Sequence, residues 1–321
     1  MSRSILRLLV IFTAVAAGGA LVPNLIGSPL LLTLLTQAVL NAILATGVGF
    51  LVRQNGLVSF GHAGFFGIGA YTVALCATYH VMPIGLALLL GILAPAALAL
   101  LLGAAMLRLA GVAFSMLTLA VAQSFYELVL RWRGLANGDD GIAAQLPPRI
   151  LGLDLEVFQQ PDSMFAICWV VLMLVLFGLS LLIASHFGTL TLAIRENEER
   201  ARFIGYGTLL PRTAIYAISA AIAGLAGVLF TLYNGFVTPD VLYWSLSGEA
   251  LVMAVIGGTR AVWGPALGAL VFFLFKNVAG DLTEHWPAII GGTLIVVTVL
   301  LPRGASGSIA MLLERLGVRA S

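Results

Sequence analysis

Long apolar runs separated by short polar segments occupy almost the whole chain. Because a helix needs about 20 apolar residues to cross the hydrocarbon core of a bilayer, the long runs predict transmembrane helices. Six of them have close to this length: 1–22, 30–52, 84–107, 111–130, 164–185 and 211–233. Two further runs, 262–279 and 286–301, are predicted to cross near the C-terminus.

Two other apolar segments depart from this regular pattern. Residues 56–79 contain five glycines within 14 positions, a density that disfavours an uninterrupted helix and favours a broken or tightly packed one. Residues 247–258 are apolar but too short to span as a straight helix, so this segment is predicted to be short, tilted or re-entrant. The glycine-rich stretches 56–71 and 248–269 are similar in composition, which indicates an internal pseudo-repeat and a transport pathway.

The composition requires lipid as the solvent. The 321 residues are 60% hydrophobic and 9% charged, whereas soluble domains carry roughly 25% charged residues. A net charge of +2 without a basic patch gives no reason to expect nucleic acid as a partner. We therefore predict an all-α integral membrane protein with a single transmembrane domain over residues 1–321.

The arginine distribution predicts how the chain lies across the membrane. The positive-inside rule requires arginines to concentrate in the cytoplasmic loops. They do so here if the chain crosses the membrane ten times with both termini in the cytoplasm. The pair Arg131 and Arg133 violates the rule, and eight or nine crossings remain open if a glycine-rich stretch is re-entrant. The turn-rich, acidic segment 134–162 is expected outside, in the periplasm if the membrane is a bacterial inner membrane.

The segment 186–212 carries the densest group of charges in the chain. Their spacing favours a small amphipathic helix on the inner membrane surface, which a soluble partner could bind. A solvated connection held by pairs four residues apart, such as Glu196–Arg200 and Glu198–Arg202, is the simpler alternative. The residues expected to bind the partner are Arg195, Glu196, Glu198, Glu199, Arg200, Ala201, Arg202 and Gly205.

The polar and glycine positions of the interrupted segments are the candidates for a translocation pathway: Ser59, Phe60, Gly61, His62, Gly64 and Glu249. His62 is expected near the cytoplasmic end of its helix, either as a packed, hydrogen-bonded histidine or as a proton relay. Glu249 is interpreted equally well as a site residue or as an ordinary interfacial acid. Lys276 is expected to extend towards the membrane surface.

No arrangement typical of catalysis or metal binding is found in the sequence. The four histidines are too dispersed for a zinc motif, and no phosphate-binding G-x-x-x-x-G-K-[ST] loop occurs. We expect neither a metal nor a cofactor on this chain. ATP and Mg²⁺ would then belong to partner subunits.

Five stretches together resemble the LivM-type permease subunits of branched-chain amino-acid ABC transporters. They are GLVSFGHAGFFGIGAYTVAL (56–75), NGDDGI (137–142), AIRENEERARFIGYG (193–207), AIAGLAGVLF (221–230) and SGEALVMAVIGGTRAVWGPALGA (247–269). Residues 193–207 also resemble the importer motif E-A-A-x-x-x-G through Glu199, Ala201 and Gly205, with Arg200 in place of the first alanine. Gly205 would permit a sharp turn after the short helix.

The resemblance implies a non-catalytic permease in a bacterial inner membrane that acts with four kinds of partner. These are a second homologous permease, two ATPase subunits, a periplasmic substrate-binding protein and a small-molecule substrate. Ala201 and Gly205 are expected to matter more than any single charge, so Glu198→Gln is expected to be tolerated. A stand-alone secondary transporter or channel is the alternative, although acids in mid-membrane are scarce.

Overall fold

The computed structural model describes residues 3–109, 111–282, 285, 288, 291–292 and 304–308. The first seven helices are α1 (Arg3–Ala20), α2 (Val22–Leu25), α3 (Pro29–Asn55), α4 (His62–Thr78), α5 (Ile84–Met106), α6 (Val112–Arg131) and α7 (Arg133–Ala136). The next seven are α8 (Glu156–Gln159), α9 (Pro161–Ala184), α10 (His186–Glu196), α11 (Glu198–Phe203), α12 (Leu209–Asn234), α13 (Trp244–Gly257) and α14 (Gly264–Leu282). The predicted crossing 286–301 and the C-terminus lie outside the described residues, apart from positions 288 and 291–292.

Five of these helices are long and apolar enough to cross a membrane: α3, α5, α6, α9 and α12. They coincide with predicted crossings, which confirms a mostly helical membrane protein. The two irregular segments form short helices, with 17 residues in α4 and 14 in α13. The prediction of a broken or tightly packed helix is therefore confirmed for 56–79, and that of a short helix for 247–258.

Helix α12 is the centre of the bundle and packs against α3, α4 and α5. In the most apolar 18-residue stretch of α12, 78% of the residues are buried, against 17% in that of α6. Helix α12 is therefore an interior helix and α6 a peripheral one. Glycines allow the close contacts. A Cβ on Gly69 of α4 would overlap the backbone of Gly224, and one on Gly227 would overlap the carbonyl oxygen of Phe66. The predicted small-residue packing faces are thus present.

Hydrogen bonds between α3 and α12 identify the two ends of the bundle. Asn55 Nδ2 donates to the Arg212 carbonyl oxygen at 2.9 Å, and Gln37 Nε2 donates to Asn234 Oδ1 at 3.3 Å. The two helices are therefore antiparallel. The end that contains Asn55 and Arg212 also contains α10, α11 and residue 260, and is called the arginine end below.

The opposite end contains four two-residue strands in addition to helix: β1 (Ile142–Ala143), β2 (Arg149–Ile150), β3 (Leu153–Asp154) and β4 (Phe236–Val237). Antiparallel β1 and β4 join the predicted turn-rich segment to the loop after α12, and β2 pairs with β3. These ladders add short β-structure to the predicted all-α fold, because backbone groups in the two turn-rich loops pair where no helix is available to satisfy them.

Candidate translocation and coupling sites

The chain between α3 and α4 is non-helical, and side-chain hydroxyls satisfy its backbone. Gly56 ends α3 with a φ of +66°, a conformation that favours glycine. The Phe60 amide donates to Thr118 Oγ1 at 3.1 Å, and the Gly61 amide donates to Ser59 Oγ at 3.1 Å. Unpaired amides inside a membrane are costly, so these hydroxyls make the interruption stable.

The first turn of α4 is capped by the other short helix. The Ala63 amide donates to Oγ of Ser247, the fully buried serine on α13, at 2.7 Å. The two interrupted segments therefore meet inside the bundle. Their sequence separation of 184 residues gave no local signal for this contact.

His62 is fully buried beside this junction. Its Nε2 lies 2.6 Å from Ser219 Oγ, and Ser219 donates its single hydroxyl hydrogen to the Gly47 carbonyl oxygen at 2.7 Å. The hydrogen between His62 and Ser219 must then come from Nε2. These contacts describe a packed, hydrogen-bonded histidine, although Nδ1 has no hydrogen-bond partner among the described residues.

His62 is the first residue of α4, at the end of this helix nearer the arginine end, yet it lies deep in the bundle. Its partner Ser219 follows the start of α12 by ten residues, which is about 15 Å along the helix axis from the arginine end. His62 lies this deep because α3 continues to Asn55 and the non-helical segment then leads back into the bundle before α4 begins.

Gly64, another pathway candidate, has more room than its neighbours. A Cβ there would lie 3.4 Å from Ala122 Cα, an ordinary contact, whereas one on Gly61 would lie 3.2 Å from Thr118 Cβ. One on Gly67 would overlap the side chain of Leu242. Of these three glycines, Gly64 therefore leaves the most room for a side chain.

Glu249 pairs with Lys276 across α13 and α14. Lys276 Nζ lies 2.7 and 2.8 Å from the two carboxylate oxygens, and both side chains are mostly buried. The prediction that Lys276 extends to the membrane surface is wrong, because the carboxylate of Glu249 lies within reach. Glu249 follows Ser247 by two residues, so the ion pair lies near the depth of the helix junction.

At the arginine end, the charged segment forms two helices instead of the single small helix predicted. Asn197, between them, has an extended backbone with φ −157°. Its Oδ1 accepts from the Arg200 amide at 2.8 Å and caps α11. Glu198 and Glu199 in the first turn of α11 are favourably placed for the helix dipole.

The C-terminus of α11 forms the sharp turn predicted at Gly205. Gly205 has φ +93°, its amide donates to the Arg202 carbonyl oxygen, and the Tyr206 amide donates to the Ala201 carbonyl oxygen. This is a Schellman cap. Ala201 itself is only 6% exposed, so it packs against its own chain.

Apolar side chains at the tip of α11 are instead the most exposed feature of this segment. Phe203 is 89% exposed and Ile204 69% exposed. The sequence analysis missed both, although two large apolar residues directly after a run of charges were a usable signal. Large exposed apolar groups rimmed by charges are typical of a protein-binding surface.

Glu198 joins α11 to α12. Its carboxylate lies 2.5 Å from Arg202 and 2.7 Å from Arg212, and it accepts from the Thr208 hydroxyl at 2.9 Å. Burial raises the pKa of this carboxyl, but the Thr208 hydrogen bond and the two arginines outweigh burial, so the pKa lies below its usual value. Glu198 is therefore an internal connection.

The other charged candidates divide into two groups. Arg195 donates to the Arg53 carbonyl oxygen at 2.7 Å and so fastens α10 to the end of α3. Glu196, Glu199 and Arg200 are exposed and make no ion pair within the described part of the chain. The predicted pair Glu198–Arg202 is confirmed, whereas Glu196–Arg200 does not form.

One face of α12 connects the coupling segment to the helix junction. Arg212, Tyr216 and Ser219 follow at intervals of four and three residues, so they lie along one side of the helix. The Tyr216 ring packs edge-on against Phe65 at a centroid distance of 5.4 Å and against His62 at 6.4 Å. Helix α12 thus contacts Glu198 of α11 near its first turn and the start of α4 further along the same face.

Comparison with known proteins places this arrangement in a family. The family model for the permease component of branched-chain amino acid transport systems matches residues 30–299. The chain belongs to this family. Among the relatives that match are permeases of ABC transport systems.

Permeases with known names match between 45% and 84% of the chain. It is 28% identical over 289 residues to the high-affinity branched-chain amino acid permease protein LivM of Salmonella typhimurium, covering 84% of this chain and 68% of LivM. It is 27% identical over 148 residues to LivH of Escherichia coli, covering 45% of this chain and 48% of LivH. It is also 28% identical over 196 residues to LsrC, the autoinducer 2 import permease of Escherichia coli, covering 57% of this chain and 53% of LsrC. No solved structure matches the chain.

Proposed function

We propose that this chain is the membrane-spanning permease of a binding-protein-dependent ABC importer in a bacterial inner membrane. The observation that carries the proposal is that one helix, α12, contacts both Glu198 of α11 and His62 beside the junction of α4 and α13. The cargo is a branched-chain amino acid or a related small solute, in line with the names of the relatives LivM and LivH.

In this function the arginine end faces the cytoplasm. The chain then crosses the membrane ten times, with both termini in the cytoplasm and residues 134–162 in the periplasm. The antiparallel packing of α3 and α12 and the concentration of Arg195, Arg212 and Arg260 at one end support this topology. Gln145 and Phe203 are exposed at opposite ends, so single cysteines there should be labelled from opposite sides of the membrane.

The exposed tip of α11 is the docking point for an ATPase subunit. Phe203 and Ile204 insert into the ATPase, while exposed charges such as Glu199 form the rim. Displacement of α11 by ATP binding moves α12 through the Glu198–Arg212 pair. ATP and Mg²⁺ are held by the two ATPase subunits, which act with a second permease and a periplasmic binding protein.

The helix junction acts as the gate of the translocation pathway. Ser59, Phe60, Gly61 and His62 lie where α4 is interrupted, and the start of a half-helix can tilt without breaking a continuous helix. Movement of α12 changes the Ser219–His62 hydrogen bond and with it the position of α4. Gly64, two residues after His62, allows α4 to slide past α6.

The competing function is a carrier that works without ATPases. A carrier coupled to protons or sodium needs a titratable or ion-binding group in mid-membrane. Glu249 is neutralised by Lys276, which favours the ABC importer.

Capture of ATPase subunits from the native membrane tests the proposed function. The tagged chain, extracted in mild detergent, is expected to retain the ATPases, and Phe203→Asp is expected to release them. Phe236→Asp, an exposed apolar residue at the opposite end, is the matched control. Transport by the purified chain alone in vesicles would refute the proposal.

A further inference from the structure

Two adjoining cavities open at the arginine end between α5 and α12. The first has a volume of about 350 Å³ and is lined by Leu107, Arg108, Leu109, Glu198, Arg202, Leu209 and Arg212. The second has a volume of about 740 Å³ and shares Arg202 and Leu209 with the first. Together they form one groove that is charged at one end and apolar at the other.

The first cavity carries a net positive charge. Three arginines line it, and the single carboxylate, Glu198, is already bound by Arg202 and Arg212. Within the described part of the chain, the Arg108 guanidinium makes no hydrogen bond or ion pair. Each guanidinium has five donors, so donors remain for an anion beside Glu198.

The second cavity is apolar and lies beside α5. Leu100 and Ala104 line it from α5, and Leu210 and the buried Thr213 line it from α12. Leu100 precedes Arg108 by eight residues, so this wall extends about 12 Å from the arginines towards the middle of the bundle. Most of α5 is exposed on the surface of the bundle, since only 22% of the residues in its most apolar 18-residue stretch are buried.

We propose that the groove binds one anionic phospholipid. Arg108, Arg202 and Arg212 bind its phosphate, because guanidinium groups form paired hydrogen bonds with phosphate oxygens. An acyl chain lies along Leu100 and Ala104. The combination of a cationic pocket and an adjoining apolar wall selects a lipid over a soluble anion and an anionic lipid over a zwitterionic one.

The bound lipid would stabilise the coupling segment in one position. Its phosphate bridges Arg202 on α11, Arg212 on α12 and Arg108 at the end of α5, three elements that must move relative to one another if α11 transmits a displacement. Anionic lipid is thus a regulator of coupling. Lipid binding itself requires only this chain, so it can be tested independently of the proposed import function.

Binding is measured on the full-length, delipidated chain in detergent by native mass spectrometry and thermal unfolding. Phosphatidylglycerol is expected to bind as a single tight adduct and to raise the unfolding temperature, whereas phosphatidylcholine of the same chain length and inorganic phosphate are not. Arg108→Gln is expected to weaken phosphatidylglycerol binding about tenfold, through loss of one charged hydrogen-bond donor. Arg133→Gln, at the opposite end, is the matched control.

A second variant tests the apolar wall. Ala104 is exposed, so Ala104→Trp should fold and should exclude the acyl chain, lowering affinity for the lipid while Arg108 is intact. Equal binding of both lipids, or unchanged affinity in Arg108→Gln, would overturn the proposal. Stabilisation by inorganic phosphate equal to that by phosphatidylglycerol would show a soluble-anion site. If Arg108→Gln changed only the capture of ATPase subunits, and did so in phosphatidylcholine, Arg108 would contact a protein. This result, like stabilisation by inorganic phosphate, would also overturn the lipid assignment.

Discussion

Replacing Glu198 with glutamine should uncouple α11 from α12. The substitution keeps the size of the side chain but removes the charge that binds Arg202 and Arg212. The new NH2 group is a hydrogen-bond donor and faces groups that are themselves donors, so it cannot accept their hydrogen bonds. A hydrogen bond to a charged group contributes about 1.5–3 kcal/mol. The Arg212 side chain is only 12% exposed, whereas Arg202 is 66% exposed and screened by solvent.

These exposures give an expected loss of about 1–2 kcal/mol, mostly from the Arg212 pair. A loss of this size changes an equilibrium constant by a factor of roughly 5–30. This differs from the expectation drawn from the sequence, which treated Glu198 as an exposed charge at a binding surface. The structure makes it an internal connection.

The assay is solute uptake per ATP hydrolysed in vesicles that contain the complete transporter. We expect Glu198→Gln to bind the ATPases normally but to import several-fold less solute per ATP. Glu199→Gln is the matched comparison on the same helix turn. Glu199 makes no ion pair in the described part of the chain, so its replacement should leave the stability of the permease unchanged.

The pH dependence of unfolding gives an independent readout. The folded-state pKa of Glu198 lies below its usual value of 4.5, so its stabilising contribution is present above that value. The contribution is lost as pH falls through the lowered pKa. The stability difference between the wild-type chain and Glu198→Gln should therefore shrink on acidification. A difference of zero at neutral pH, with normal coupling, would refute this account of Glu198.

Three further predictions follow from the packing of the helices. Gly227→Ala should destabilise the permease by roughly 1–3 kcal/mol in thermal unfolding, because its Cβ overlaps the Phe66 carbonyl oxygen; Gly64→Ala, with an ordinary contact, should not, and equal effects would contradict the proposed packing. Ser247→Ala should cost about 1 kcal/mol by removing the cap of α4 and should slow uptake while ATPase capture is unchanged; normal uptake would argue against a gate at the junction. Lys276→Gln should reduce the amount of folded protein by leaving Glu249 unpaired, and adding Glu249→Gln should restore it; failure of the double variant to recover would contradict the pairing.

The sequence was sufficient for features that depend on local composition. Apolar length identified the crossings at α3, α5, α6, α9 and α12, because bilayer thickness determines how long such helices must be. Glycine density identified the interrupted segment before α4. Gly205 was also predicted as a turn, because a helix end needs a residue that tolerates positive φ.

Features that depend on tertiary contacts were not predictable in the same way. Arg212, which pairs with Glu198, is 14 residues away and follows a turn whose direction the sequence leaves open. The Ser247 cap joins residues 184 positions apart. The depth of His62 also depended on where α3 ended. Each of these follows from how helices pack, which hydropathy and spacing do not determine.

Uptake by the reconstituted transporter is the most direct test of the central claim. Vesicles containing this chain, its partner permease and the two ATPases are supplied with the binding protein and radiolabelled leucine, isoleucine or valine, or with the ligand that the binding protein retains. The account predicts accumulation only when ATP and the binding protein are both present, and its loss in Phe203→Asp. Accumulation without ATP, driven by a proton or sodium gradient, would contradict it.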